Sequence, residues 1–119
     1  QADIISFHCK PTSDGSPIIT SAEINKMKNN ALIINTARGN LVSENDLFEA
    51  LKSNKIKGAA LDVYANEPAK DNILFGLDNI ILTPHIAAST SEAQIIVAEM
   101  VANQFVDYFI KDKINNQVT

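Results

Sequence analysis

Apolar residues in this chain fall into short runs of strand length, separated by segments in which they recur every three or four positions. The first run, Asp3-Ile4-Ile5-Ser6-Phe7-His8-Cys9, is followed by Lys10-Pro11-Thr12-Ser13-Asp14-Gly15, a cluster of turn formers that predicts a buried strand and then a loop. Thr20 or Ser21 is placed to cap a short helix through Lys28, with Glu23 in the first turn, where its charge suits the helix dipole, and Asn29-Asn30 at the end. Ala31-Leu32-Ile33-Ile34-Asn35-Thr36 predicts a second buried strand. Beyond Gly39-Asn40, Ser43-Glu44-Asn45-Asp46 has the pattern of a capping box, and a helix is expected through about Ser53. Its residues Leu47, Phe48, Ala50 and Leu51 form an apolar face, with Glu49 and Lys52 opposite. Ile56 to Val63 is a third strand whose small residues admit a close neighbour, and Asn79 to Thr83 a fourth. From Thr90 to about Ile110 the period predicts one long amphipathic helix with Ala93, Ile96, Val97, Met100, Val101, Phe105 and Phe109 on its apolar side. The polar tail that follows is expected to leave the domain.

Strands alternating with helices at this pitch predict an α/β fold, a mainly parallel sheet covered on both faces. No repeat or low-complexity segment interrupts the pattern.

With 119 residues, 45% of them hydrophobic and 20% charged, the chain has the composition of one globular domain or part of one. It opens at Gln1 directly on an apolar strand, which predicts a cut through a larger protein. The net charge of −4 and scattered Lys and Arg residues offer no field for a phosphate backbone, so no nucleic-acid partner is expected. No apolar run approaches the roughly 20 residues of a membrane-spanning helix, and the first residues lack a signal-peptide pattern. No membrane partner is expected either. The single cysteine, Cys9, has no internal disulfide partner, in keeping with a reducing, cytoplasmic location.

In an open parallel sheet, ligands bind beyond the carboxyl ends of the strands, so the polar residues there are the candidates for chemistry. They are His8-Cys9, Thr36-Ala37-Arg38, Asp62, and His85 after Thr83-Pro84. Arg38 carries a planar fork that matches a carboxylate, although a surface arginine at a helix approach has the same signature. Asp62 closes an apolar strand and needs a partner; it can cap a turn or meet the nicotinamide side of a cofactor. Glu67 in the loop Tyr64-Ala65-Asn66-Glu67-Pro68 reads alone as a solvated acid, and His85 alone as a hydrogen-bonded structural histidine. Together they would form an acid/base unit, because a carboxylate touching an imidazole fixes its tautomer and raises its basicity. A fork for a carboxylate, a histidine for a proton and an acid to tune it are what oxidation of a 2-hydroxy acid requires.

The same residues carry a family resemblance. Ile34-Asn35-Thr36-Ala37-Arg38-Gly39, Gly58-Ala59-Ala60-Leu61-Asp62-Val63-Tyr64, Glu67-Pro68 and Leu82-Thr83-Pro84-His85-Ile86-Ala87-Ala88-Ser89-Thr90 resemble, in order and spacing, the C-terminal half of the cofactor domain of D-2-hydroxyacid dehydrogenases. The resemblance covers essentially the whole chain. It implies part of a Rossmann-like doubly wound sheet with NAD as cofactor, and a helix at about 90–110 leading toward a substrate domain absent from this chain. By resemblance Arg38 corresponds to the substrate-carboxylate arginine, Glu67 to the acid paired with the histidine, and His85 to the proton donor and acceptor. Cofactor contacts carry over to Cys9, Thr36, Ala37 and Arg38, to Asp62, and to the turn His85, Ile86, Ala87 and Ala88. The implied ligand is a small 2-hydroxy or 2-keto acid, and a homo-oligomer is implied for the full-length protein.

Glu67-Pro68-Ala69 with Leu74-Phe75-Gly76-Leu77, and Ala88-Ser89-Thr90 with Glu92-Ala93-Gln94, look most like the 3-phosphoglycerate dehydrogenase branch; lactate, glycerate and glyoxylate types are the alternatives. Related transcriptional corepressors keep the fold and the trio but act through partners, which leaves a nucleotide-sensing binding protein open. Two departures stand out: Lys10 occupies a position usually held by proline, with Pro11 one step later, and Ser43 replaces a common Asp. Gly15, Gly39, Gly58 and Gly76 include no pair separated by one residue, so the Gly-rich pyrophosphate turn lies outside these residues.

Overall fold

The computed structural model describes residues 2–117. It divides into one compact unit through His85 and a second from Ile86. In the first unit, β1 (Ile4–Phe7), α1 (Ser21–Lys26), β2 (Leu32–Asn35), a 3-10 turn (Gly39–Leu41), α2 (Glu44–Lys52), β3 (Gly58–Leu61) and β4 (Ile80–Leu82) follow in chain order. The four strands form one sheet in the order β1-β2-β3-β4, and every pairing is parallel.

Register sorts the strand residues into two faces. Ile5, Ile33, Ala59 and Ile80 form one row, and Phe7, Asn35, Leu61 and Leu82 the next row on the same side. This side joins Ile24 of α1 and Leu47, Ala50 and Leu51 of α2 in the hydrophobic core. Each fully buried Leu or Ile there contributes roughly 1.5–3 kcal/mol of transfer free energy. The opposite side carries Ile4, Leu32, Ile34, Ala60 and Ile81, of which Ile4 is 56% and Ile81 68% exposed. The α1/α2 layer therefore covers one face. The reason is topological: when consecutive parallel strands step in one direction, right-handed crossovers put both helices on one side.

Helix starts follow local chemistry. Thr20 caps α1 in a complete capping box, its hydroxyl serving the helix N-terminus while Glu23 accepts from the Thr20 N–H at 3.1 Å. The box expected at α2 is only half made. Ser43 Oγ accepts from the Asp46 N–H at 3.4 Å, but the Ser43 N–H is taken by the Ile19 carbonyl at 2.9 Å. The Asp46 carboxylate turns instead to the Ser21 N–H at 3.0 Å, tying α2 to the start of α1. The helix α1 ends at Lys26 rather than Lys28, and the third strand is shorter than its apolar run.

The second unit is dominated by α3 (Ser91–Lys111), capped by Thr90 Oγ1 on the Ala93 N–H. It occupies the span expected for the long helix, but none of its residues is buried. Phe105 and Phe109 stack at 5.9 Å, and Tyr108 meets Phe109 edge-on at 4.8 Å. Asp112 ends the helix in the left-handed region. No helix among the described residues is long and apolar enough to cross a membrane. Gln1 and the tail residues Val118 and Thr119 lie outside the described residues.

Candidate active site

At the carboxyl end of β2, the 3-10 turn begins on Arg38, and Gly39 brings this turn against the segment that leaves β3. A Cβ on Gly39 would fall 1.9 Å from the Tyr64 carbonyl carbon, so only a residue without a side chain allows this approach. The segment beyond β3 is held from three directions. Glu67 accepts the Tyr64 N–H at 2.9 Å. Glu44, in the first turn of α2, accepts the Ala65 N–H at 2.8 Å. The Tyr64 hydroxyl donates to the Thr83 carbonyl just past β4 at 2.9 Å. Burial, with the charges of Asp62, Glu44 and Glu67, pushes the Tyr64 phenol up, so the hydroxyl stays a neutral donor.

These constraints bring Arg38, Glu67 and His85 to the wall of one cavity of about 320 Å³, which Gly39, Asn40, Val63, Tyr64 and Ala65 complete. Glu67 Oε2 lies 2.6 Å from His85 Nδ1. This hydrogen bond, and next the Tyr64 N–H, hold the Glu67 carboxyl below its ordinary value of 4.5, against burial and the charge of Asp62. With Nδ1 engaged, Nε2 is the ring atom available to a ligand. His85 itself has φ 54°, in the left-handed region where non-glycine residues are uncommon and histidine is enriched.

A second cleft, of about 640 Å³, is lined by His8, Cys9, Lys10, Pro11, Thr36, Ala37 and Arg38, so the loop ends of β1 and β2 meet there. Its hydroxyl, amide and cationic groups suit a polar, anionic dinucleotide. Arg38 lines both this cleft and the 320 Å³ cavity. Asp62 is 4% exposed, and its Oδ1 accepts from Thr83 Oγ1 at 2.5 Å. Ile86, Ala87 and Ala88 open the second unit, where the Ser89 N–H returns to the Ile86 carbonyl at 2.9 Å and Gln94 Nε2 donates to the Ala88 carbonyl at 2.6 Å.

Three residues of this architecture escaped the sequence reading: Tyr64, Thr83 and Asn35. Tyr64 and Thr83 had no distinguishing signal beyond their nearness to Asp62 and His85. Asn35 did have one, since an amide in an otherwise apolar buried strand must find partners. Among the described residues no cluster of three or more His, Cys, Asp or Glu side chains is arranged to hold a metal.

Residues 1–87 match the family model described as "D-isomer specific 2-hydroxyacid dehydrogenase, NAD binding domain". A D-3-phosphoglycerate dehydrogenase of Methanocaldococcus jannaschii is 51% identical over 104 residues, covering 87% of this chain and 20% of that protein. A glycerate dehydrogenase of Methylorubrum extorquens is 44% identical over 121 residues, covering 99% of this chain and 38% of that protein. The crystal structure of a glyoxylate reductase from Paecilomyes thermophila superposes with a TM-score of 0.85 at 36% identity, covering 99% of this chain and 36% of that one. The chain thus spans between a fifth and two fifths of the length of these relatives. Parallel sheet, long helix and matched sequence agree, and the chain belongs to the NAD-binding domain family of the D-isomer specific 2-hydroxyacid dehydrogenases.

Proposed function

We propose that the complete protein oxidises a D-2-hydroxy acid with NAD and reduces the matching 2-keto acid in the reverse direction. The observation that carries this reading is the 2.6 Å contact between Glu67 and His85 on a cavity that Arg38 also lines. Arg38 binds the substrate carboxylate through its planar fork. His85 Nε2 accepts the proton of the 2-hydroxyl as the carbon is oxidised, and returns it to the keto oxygen in reduction. Glu67 holds Nδ1, which fixes the tautomer and stabilises the imidazolium that forms. When bound, NAD supplies the hydride acceptor. Cys9, Thr36 and Ala37 wall the cleft that would hold it, with Asp62 toward the nicotinamide and the Ile86–Ala88 turn as further contacts. The helix α3 leads on toward a substrate domain in the complete protein, which we read as a cytoplasmic homo-oligomer.

Within the family, 3-phospho-D-glycerate is the proposed substrate and 3-phosphohydroxypyruvate the product. Support comes from relatives of that name in Methanocaldococcus jannaschii at 51% identity and Archaeoglobus fulgidus at 44%. The glycerate dehydrogenase at 44% identity favours unphosphorylated glycerate as the second reading. Steady-state turnover of the complete protein with NAD or NADH against phosphorylated and unphosphorylated 2-hydroxy and 2-keto acids tests both. The phosphorylated substrate is expected to give the highest kcat/KM. A higher value for glycerate selects the second reading, and absence of turnover with every acid removes the enzymatic one.

A further inference from the structure

Asn35 is the one amide in the row Phe7, Asn35, Leu61 and Leu82 on the helix-covered face of the sheet. It is 1% exposed. Both ends of its side chain are spent on a single turn: Oδ1 accepts from the Ala37 N–H at 3.1 Å, and Nδ2 donates to the Arg38 carbonyl at 2.8 Å. Between these two anchors lies the Ala37–Arg38 peptide. Its carbonyl accepts from Arg38 Nη1 at 2.6 Å. A buried amide thus sets a peptide, and the peptide sets an exposed guanidinium at the end of a long stem.

We infer that Asn35 is a positioning residue for the substrate carboxylate, acting through the Ala37–Arg38 peptide to aim the Arg38 fork into the cavity shared with Glu67 and His85. The inference rests on the proposed role of Arg38 and deepens it. A planar bidentate donor is selective only when its plane is fixed, because a fork free to rotate gains little over a point charge. Asparagine suits this position better than its isostere, since the turn needs an acceptor at Ala37 and a donor at Arg38. Aspartate keeps the acceptor, loses the donor and sets a carboxylate against a carbonyl.

The test is a double-mutant cycle in the complete protein, with KM and kcat measured for the keto acid turned over best. Asn35→Asp is expected to raise KM by roughly tenfold, the order of one lost buried hydrogen bond, with kcat changed by less than about threefold. In an Arg38→Lys background the same substitution should add less than about twofold, because residues that act through one another are not additive. Asn35→Ser buries no charge, keeps a group for the Ala37 N–H and cannot span to the Arg38 carbonyl; it is expected to give the same pattern should Asn35→Asp not fold. An unchanged KM, or an equal rise with and without the Arg38 fork, overturns the inference and leaves the role of Arg38 standing. If Arg38→Lys alone leaves KM for the keto acid unchanged, the carboxylate assignment fails first and the inference goes with it.

Discussion

Glu67 and His85 share one hydrogen bond of 2.6 Å, and what a change at either should do follows from it. The Glu67 carboxyl is held low first by its hydrogen bond with His85 and next by the Tyr64 N–H. It is therefore ionised at neutral pH, and its contribution to stability is complete above 4.5 and lost as pH falls through the lowered value. Oxidation needs the neutral ring as base, and reduction needs the protonated ring as acid. Glu67→Gln removes the carboxylate that holds Nδ1, so kcat/KM should fall in both directions of the reaction. An unchanged kcat/KM in both directions contradicts the pairing. For His85 itself the backbone at φ 54° makes Asn a better replacement than Ala, because Asn tolerates the left-handed region. His85→Asn should lower turnover by about 10² to 10⁴-fold in both directions. Near-normal turnover would sink the mechanism. These residues and their pairing were legible in the sequence as candidates, but the 2.6 Å geometry of the contact was not, since the seventeen residues between Glu67 and His85 had first to fold.

At the level of elements, the loop after β3 owes its position to neighbours remote in sequence: Gly39 from the turn after β2, Glu44 from α2 and Thr83 from the end of β4. A methyl at Gly39 meets backbone rather than a flexible side chain, so the loop itself must give way. Gly39→Ala should cost about 1–3 kcal/mol or more and, by displacing Tyr64, also weaken catalysis. Thermal melting and kcat/KM measured together check this, and an unchanged pair of values would mean the loop can shift freely. Element existence was readable from apolar periodicity and from the hydroxyls of Thr20, Ser43 and Thr90, because these act over three or four residues. The half-made box at Ser43 was not, because its backbone N–H answers to Ile19, across a bridge that local sequence does not encode.

For the whole molecule, the parallel fold follows from the alternation of strands and helices, whereas the strand order and the placing of both α1 and α2 on one sheet face required the crossover direction to be known. The opposite face, with Ile4 and Ile81 exposed, and the outer edges of β1 and β4 give the 119-residue chain by itself a surface that favours self-association. Sedimentation of the isolated chain should show dimers or larger species, and calorimetry no detectable NAD binding. A monomer binding NAD at micromolar concentration would contradict this expectation. The strand order has another consequence. Ile4 pairs with Leu32, Leu32 with Gly58 and Ala59 with Ile80, so each strand after β1 finds a partner in the one synthesised immediately before it. No strand has to be inserted between two already joined. The sheet can therefore grow vectorially as the chain leaves the ribosome, each new strand adding to the edge its predecessor has just exposed.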